Sequence, residues 1–72
     1  MSGALKPFGL FLHLLDVGRL QDFPVADREY IINRLNELID QIDDPKLTGP
    51  HYASEKERYV RELKIAKQAW NL

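Results

Sequence analysis

The sequence predicts an all-α domain of three helices, because two segments repeat large apolar residues at helical spacing and a third is almost wholly apolar. Segment 29–42 carries its main aliphatic residues in a 4-3-4 pattern, at Ile31, Leu35, Leu38 and Ile42. At 3.6 residues per turn these side chains share one face of a helix. No glycine or proline interrupts the segment. This apolar face is too wide to remain exposed to solvent, so the other segments must cover it.

The first helix is expected at residues 7–17, after a loose lead-in over residues 1–6. Pro7 suits the first helical position, and Gly18 suits the left-handed residue that ends a helix. Only Gly9, His13 and Asp16 interrupt the apolar surface of this helix. An apolar arc of that width must be covered on more than one side. Either the helix is sandwiched inside the fold, or half of it faces another chain.

The second and third helices are expected at residues 24–43 and 54–70. Leu20 and Phe23, in the connector before the second helix, are expected to close one end of the core. The second helix should end before Pro45, because a residue preceding proline disfavours the α conformation. Ser54 and Glu57 match a capping box, with Ser54 as N-cap of the third helix.

The third helix repeats the apolar spacing of the second. Its apolar row is also spaced 4-3-4, at Tyr59, Leu63, Ala66 and Trp70. Matching rows joined by a loop of about ten residues predict an antiparallel hairpin of the second and third helices. The very apolar first helix is expected to pack across this hairpin, and Trp70 to close its seam rather than to act as an exposed binding anchor.

Length and composition indicate one small domain with a marginal core. A chain of 72 residues buries only about 60% of its unfolded surface. The absence of cysteine excludes disulfides and thiolate metal sites, which leaves association as the available supplement and favours an intracellular location. We find no signal-peptide pattern, and the longest apolar segment, roughly ten residues, is too short to cross a bilayer. The chain is therefore expected to be soluble and cytoplasmic.

Charge is divided unevenly along the chain. Residues 1–44 carry four basic and eight acidic side chains, a net −4, whereas residues 45–72 carry six basic and three acidic ones, a net +3. The simpler interpretation is an acidic helix beside a basic one, and the alternative is that the basic half meets an acidic partner.

No catalytic, metal or cofactor motif is present in the sequence. No serine or threonine comes with a base, and no phosphate-binding or dinucleotide-binding glycine pattern occurs. His13 and Asp16 are three residues apart on one helical face, which is too few ligands for a metal site. The carboxylates near the end of the second helix lack the ligand spacing of a calcium loop. We expect no enzyme activity, no cofactor, no membrane partner and no small-molecule substrate.

The sequence therefore favours a small non-enzymatic protein–protein interaction module: a regulator, adaptor or assembly subunit. We expect it to act as a homodimer or bound to a larger partner, through apolar residues that the hairpin does not need. The expected interface residues are Phe8, Leu10, Leu14, Val17, Ile65 and Leu72. The alternative is a nucleic-acid-binding regulator whose contacts are the basic stripe Arg61, Lys64 and Lys67 on the third helix.

Overall fold

A computed structural model describes residues 6–72, and every regular element in that range is helical. Three α-helices follow one another: α1 (Pro7–Asp16), α2 (Arg28–Ile42) and α3 (Pro50–Trp70). Two short 3₁₀ turns, Leu20–Asp22 and Val25–Asp27, join α1 to α2. The predicted all-α class and three helices are confirmed, and residues 1–5 of the expected lead-in lie outside the described range. Among the described helices, none is both long and apolar enough to cross a membrane.

α1 begins at a proline and ends before a glycine. Pro7 occupies the first turn, where its missing N–H leaves no helical hydrogen bond unmade. Gly18 adopts a left-handed φ of 71°, and its N–H donates to the Leu15 carbonyl at 3.2 Å. The helix stops at Asp16, one residue before the predicted end at Val17, which is the C-cap.

The connector between α1 and α2 closes one end of the core. Leu20 and Phe23 are 4% and 1% exposed, in agreement with the role predicted for them. The guanidinium of Arg28 donates to the Phe23 carbonyl at 3.0 and 3.2 Å and to the Gln21 carbonyl at 3.1 Å. Because these carbonyls belong to no helical ladder, one side chain satisfies them and holds the connector against α2.

α2 begins at Arg28, so the predicted start at Pro24 is wrong. Pro24 is extended, with φ −54° and ψ 128°, and the Asp27 N–H donates to its carbonyl at 3.1 Å across a 3₁₀ turn. A proline with an acidic residue three positions later suits the first turn of an α-helix and of a 3₁₀ turn alike. The sequence alone therefore does not decide which of the two begins here. The α-helix ends at Ile42, one residue before the predicted Asp43.

The aliphatic stripe of α2 faces the core, and both ends of the helix meet α3. Ile31 and Leu35 are fully buried. At the end of α2 the Asp43 carboxylate lies 2.7 Å from the Lys56 ammonium of α3. At its beginning the Arg28 guanidinium lies 5.5 Å from the centre of the Trp70 ring. α2 therefore contacts α3 at both of its ends.

α3 begins at Pro50, so the predicted start at Ser54 and the capping box are both wrong. Gly49 is the N-cap, with φ 123° and ψ 162°, and Pro50 is the first helical residue. Ser54 is exposed within the helix, and its side chain makes no cap hydrogen bond. A backbone conformation that essentially only glycine adopts, followed by proline, starts the helix one turn earlier than the serine would.

Ser54→Ala is therefore expected to leave stability unchanged or to raise it by up to about 0.5 kcal/mol, since alanine is the better residue inside a helix. An N-cap serine would instead lose about 1 kcal/mol on the same change. Urea unfolding measures the difference. Gly49→Ala is the companion variant and should destabilise by about 1 to 3 kcal/mol, because alanine is strained at that φ.

The core centres on Trp70, the last residue of α3. Its ring is stacked on Phe23 with centroids 5.3 Å apart, and it lies 5.8 Å from the Phe11 ring. Its indole N–H donates to the buried Leu20 carbonyl at 2.9 Å. Trp70 is 6% exposed, which agrees with its predicted place in the core. The remaining fully covered apolar residues are Phe11, Leu20, Phe23, Ile31, Leu35 and Ala66.

Candidate protein interface

A groove of about 460 Å³ runs between α1 and α3. It combines an apolar strip with two acidic and two basic side chains. Its lining residues are Leu12, Leu15, Asp16, Arg58, Arg61, Glu62 and Ile65. We call this the α1–α3 groove. Leu12 is 40% exposed and Ile65 is 38% exposed, so the apolar strip is open to solvent.

Helix geometry explains why these residues meet. On α1, Phe11 points into the core, and Leu12, about 100° further round, comes to the edge of the covered face. On α3, Arg58, Glu62 and Ile65 are spaced 4-3 and form a row beside the core row. The groove is the place where the edge of α1 faces this second row of α3.

Glu62 lies on the groove with only 9% of its surface exposed. Within residues 6–72, no Lys, Arg or His nitrogen lies within the 4.0 Å that defines an ion pair with its carboxylate. Burial raises the pKa of the Glu62 carboxyl above its ordinary value of about 4.5, and the positive charges of Arg58 and Arg61 oppose this shift only in part. A carboxylate so placed would gain from a cation or a donor brought to it.

Glu62→Gln is expected to raise the melting temperature at neutral pH. Because the folded-state pKa lies above the unfolded-state pKa, the folded chain holds the proton more tightly, and stability falls as the pH rises between these two values. Glutamine keeps the shape and removes the charge. Thermal unfolding of dilute protein between about pH 4 and pH 8 measures the melting temperatures of the variant and of the unchanged chain. The difference between them should grow as the pH rises and vanish at the acidic end. Glu57→Gln, at an exposed position on the same helix, should have the melting temperature of the unchanged chain at every pH.

The structure divides the expected interface residues among different places. Phe8, Leu10 and Leu14 are half-buried and pack against the core. Val17, at the C-cap of α1, is 49% exposed and does not line the α1–α3 groove. Ile65 alone of this set does line it.

Leu72 belongs to a second concavity. It is 65% exposed and lies with Val25, Ile32 and Trp70 near the beginning of α2. Ile65 and Leu72 were both expected in the interface, but they line different concavities because the helix ends at Trp70. The residue after it, Asn71, is left-handed with φ 57°, which turns Leu72 away from the helical row.

Arg61, Lys64 and Lys67 are all exposed on α3. Among the described residues, no carboxylate lies within ion-pair distance of any of them. Arg61 and Lys64 share a shallow concavity with Glu57 and with Val60, which is 45% exposed. The three cations thus form an open basic surface that one acidic side chain interrupts.

The other polar residues weighed for chemistry have structural partners or stay exposed. His13 and Asp16 are exposed on α1. Asp43 pairs with Lys56, and the Asp44 carboxylate accepts the Lys46 N–H at 2.9 Å. Within residues 6–72, no three His, Asp or Glu side chains are grouped as a metal ion would need.

No protein-family model, curated protein or solved structure matches the chain. Function is therefore inferred from the surfaces of the chain itself. Five residues that line the α1–α3 groove were not among the interface residues expected from the sequence: Leu12, Leu15, Asp16, Arg58 and Glu62. The 4-3 row of Arg58, Glu62 and Ile65 was the available signal, because it marks a second ordered row on α3.

Proposed function

We propose that the chain is a small non-enzymatic protein–protein interaction module, a regulator, adaptor or assembly subunit, that binds its partner in the α1–α3 groove. One observation carries the proposal: a solvent-open apolar strip adjoins Glu62, a residue only 9% exposed whose carboxylate has no ion-pair partner within residues 6–72. Apolar side chains that a second protein covers supply affinity, and a desolvated charge supplies specificity.

The proposal takes α2 and α3 as an antiparallel hairpin with α1 packed across its seam. The Asp43–Lys56 ion pair and the contact of Arg28 with Trp70, at opposite ends of α2, support this arrangement. Phe11 is the only residue of α1 that is fully buried. α1 therefore uses one side for the core and leaves its Leu12 edge for the partner.

Photo-crosslinking from the groove tests the proposal. A benzophenone amino acid replaces Ile65 in one variant and Asp40, exposed on α2, in the control. In its native host, the chain should form a defined adduct from position 65, whether with itself or with another protein, and none from position 40. Leu12→Asp in the same chain should remove the adduct. If position 65 gives no adduct, or if the adduct persists after Leu12→Asp, the groove is not the binding site.

A second candidate function is nucleic-acid binding through Arg61, Lys64 and Lys67. Its support is that all three cations are exposed and none has an ion-pair partner among the described residues. Fluorescence anisotropy with labelled duplex DNA and RNA at low salt tests it, and three phosphate contacts would give a slope of roughly −3 in log K against log salt. The absence of binding at low ionic strength would remove this candidate.

We propose no catalytic role and no cofactor for the chain. Ser54 lies exposed within α3 and Thr48 lies in the loop before it, and neither forms a side-chain hydrogen bond with a base in the described part of the chain. The cytoplasmic location stays a prediction of the sequence, which has no cysteine.

A further inference from the structure

We propose that the partner in the α1–α3 groove is a second copy of this chain, and that Arg61 of each copy pairs with Glu62 of the other. This inference rests on the proposed function and names its partner. Two-fold dimers are the commonest protein assemblies, and in them one surface patch meets itself. Such a patch must therefore carry both signs of charge.

The α1–α3 groove meets that requirement. Its charged lining consists of two guanidiniums, Arg58 and Arg61, and two carboxylates, Asp16 and Glu62, around an apolar strip. A groove made for an acidic or a basic partner would carry an excess of the opposite charge. Equal numbers of both signs allow a copy of the same surface to meet the groove without an excess of either charge.

Arg61 is the guanidinium available to the other copy. Arg58 already pairs with Glu55 at 3.1 Å, and its guanidinium lies 5.1 Å from the centre of the Tyr59 ring. Arg61 is exposed, and within residues 6–72 no carboxylate lies within ion-pair distance of it. Its neighbour Glu62 lines the same groove, and its carboxylate has no ion-pair partner within residues 6–72.

The geometry of α3 allows both pairs to form at once. Arg61 and Glu62 are adjacent in the chain, so a two-fold axis passing beside them brings both residues of one copy close to both residues of the other when two copies of α3 cross antiparallel. The same relation sets Arg58 of one copy opposite Ile65 of the other. The aliphatic stem of an arginine packs well on an apolar side chain, so this contact covers the exposed part of Ile65.

Charge exchange between two variants tests the proposal on the full chain. Sedimentation equilibrium over about a hundredfold range of concentration should show a dimer for the unchanged chain. Arg61→Glu alone and Glu62→Arg alone should each weaken association about thirtyfold or more, because each places like charges across the axis. An equimolar mixture of the two variants should associate again, since a heterodimer contains both pairs with their signs reversed. The double variant in one chain should recover dimerisation for the same reason.

The matched control uses Lys64→Glu and Glu57→Arg, which make the same charge changes on the same helix outside the groove. These variants should dimerise like the unchanged chain, and mixing them should have no effect at moderate salt. Circular dichroism confirms folding of each variant, and Arg61→Glu, at an exposed position, keeps the test valid if Glu62→Arg misfolds.

The possible outcomes separate this inference from the proposed function. A folded monomer that crosslinks from position 65 to a larger protein overturns the second copy as partner and leaves the interaction module standing. A dimer that none of the charge changes weakens overturns the Arg61–Glu62 pairing. A monomer with no adduct from position 65 overturns both.

Discussion

Trp70→Ala is expected to lower the free energy of unfolding by about 3 to 5 kcal/mol, the usual loss when a large buried aromatic residue is truncated. A chain of this length holds roughly 4 to 11 kcal/mol in total, so the variant should lose a large share of its stability. The change removes the stacking on Phe23, the contact with Phe11 and the hydrogen bond to the Leu20 carbonyl together. Urea unfolding followed by circular dichroism gives the loss.

Two further variants divide this effect into its causes. Trp70→Phe keeps an aromatic ring but removes the indole hydrogen bond to the Leu20 carbonyl, which still accepts the Phe23 N–H at 3.0 Å, and this lost bond should cost about 0.5 to 1.5 kcal/mol. Tyr30→Ala, at an aromatic residue that is 50% exposed, is the matched control and should lose less than about 1 kcal/mol. Equal losses for Trp70→Ala and Tyr30→Ala would contradict the central place of Trp70 in the core.

Leu12→Asp combined with Ile65→Asp is expected to weaken association through the α1–α3 groove at least about a hundredfold, equivalent to about 2.7 kcal/mol. Both side chains are partly exposed in the isolated chain, so the change removes little of its core. In the complex it would replace the apolar contacts of the strip by charged side chains that have to be desolvated. Sedimentation measures association, and circular dichroism should show unchanged helicity.

Val60→Asp is the matched control for the groove variant. Val60 lies on the same helix and is 45% exposed, close to the 38% of Ile65, but it lines a different concavity. The control should associate like the unchanged chain. Leu10 and Leu14 are less suitable positions for such variants, because both pack against the core and a charge there would also destabilise the fold. If Val60→Asp weakened association as strongly as the groove variant, binding would not be specific to the groove.

Much of the fold could be predicted because its information is local in the sequence. The stripe of Ile31 and Leu35, the stop at Gly18 and the burial of Trp70 each follow from spacing or from one residue's conformational preference. The beginning of α3 could not be decided in this way. Two local signals compete there, a serine capping box and a Gly49–Pro50 start, and the sequence does not rank them.

Less of the candidate interface could be predicted, because it depends on which helix flanks which. Leu12 lies at the edge of the apolar arc of α1, and only the position of α3 decides whether that edge is covered. Glu62 resembles the other acidic residues of α3 in the sequence. The 4-3 row marks its place on α3, but its burial, which raises its pKa, depends on where α1 lies relative to that row.

The hydrogen bond from Trp70 to Leu20 joins residues that are fifty positions apart. Closing so long a stretch of chain carries a large entropic penalty, whereas α2 and α3 can meet across a short loop. The last residue of α3 should therefore dock on the connector late in folding, after α2 and α3 have come into contact. Trp70 is the only tryptophan, so its fluorescence reports this docking step while circular dichroism reports the helices. In stopped-flow refolding, the fluorescence change should lag behind the gain of helix.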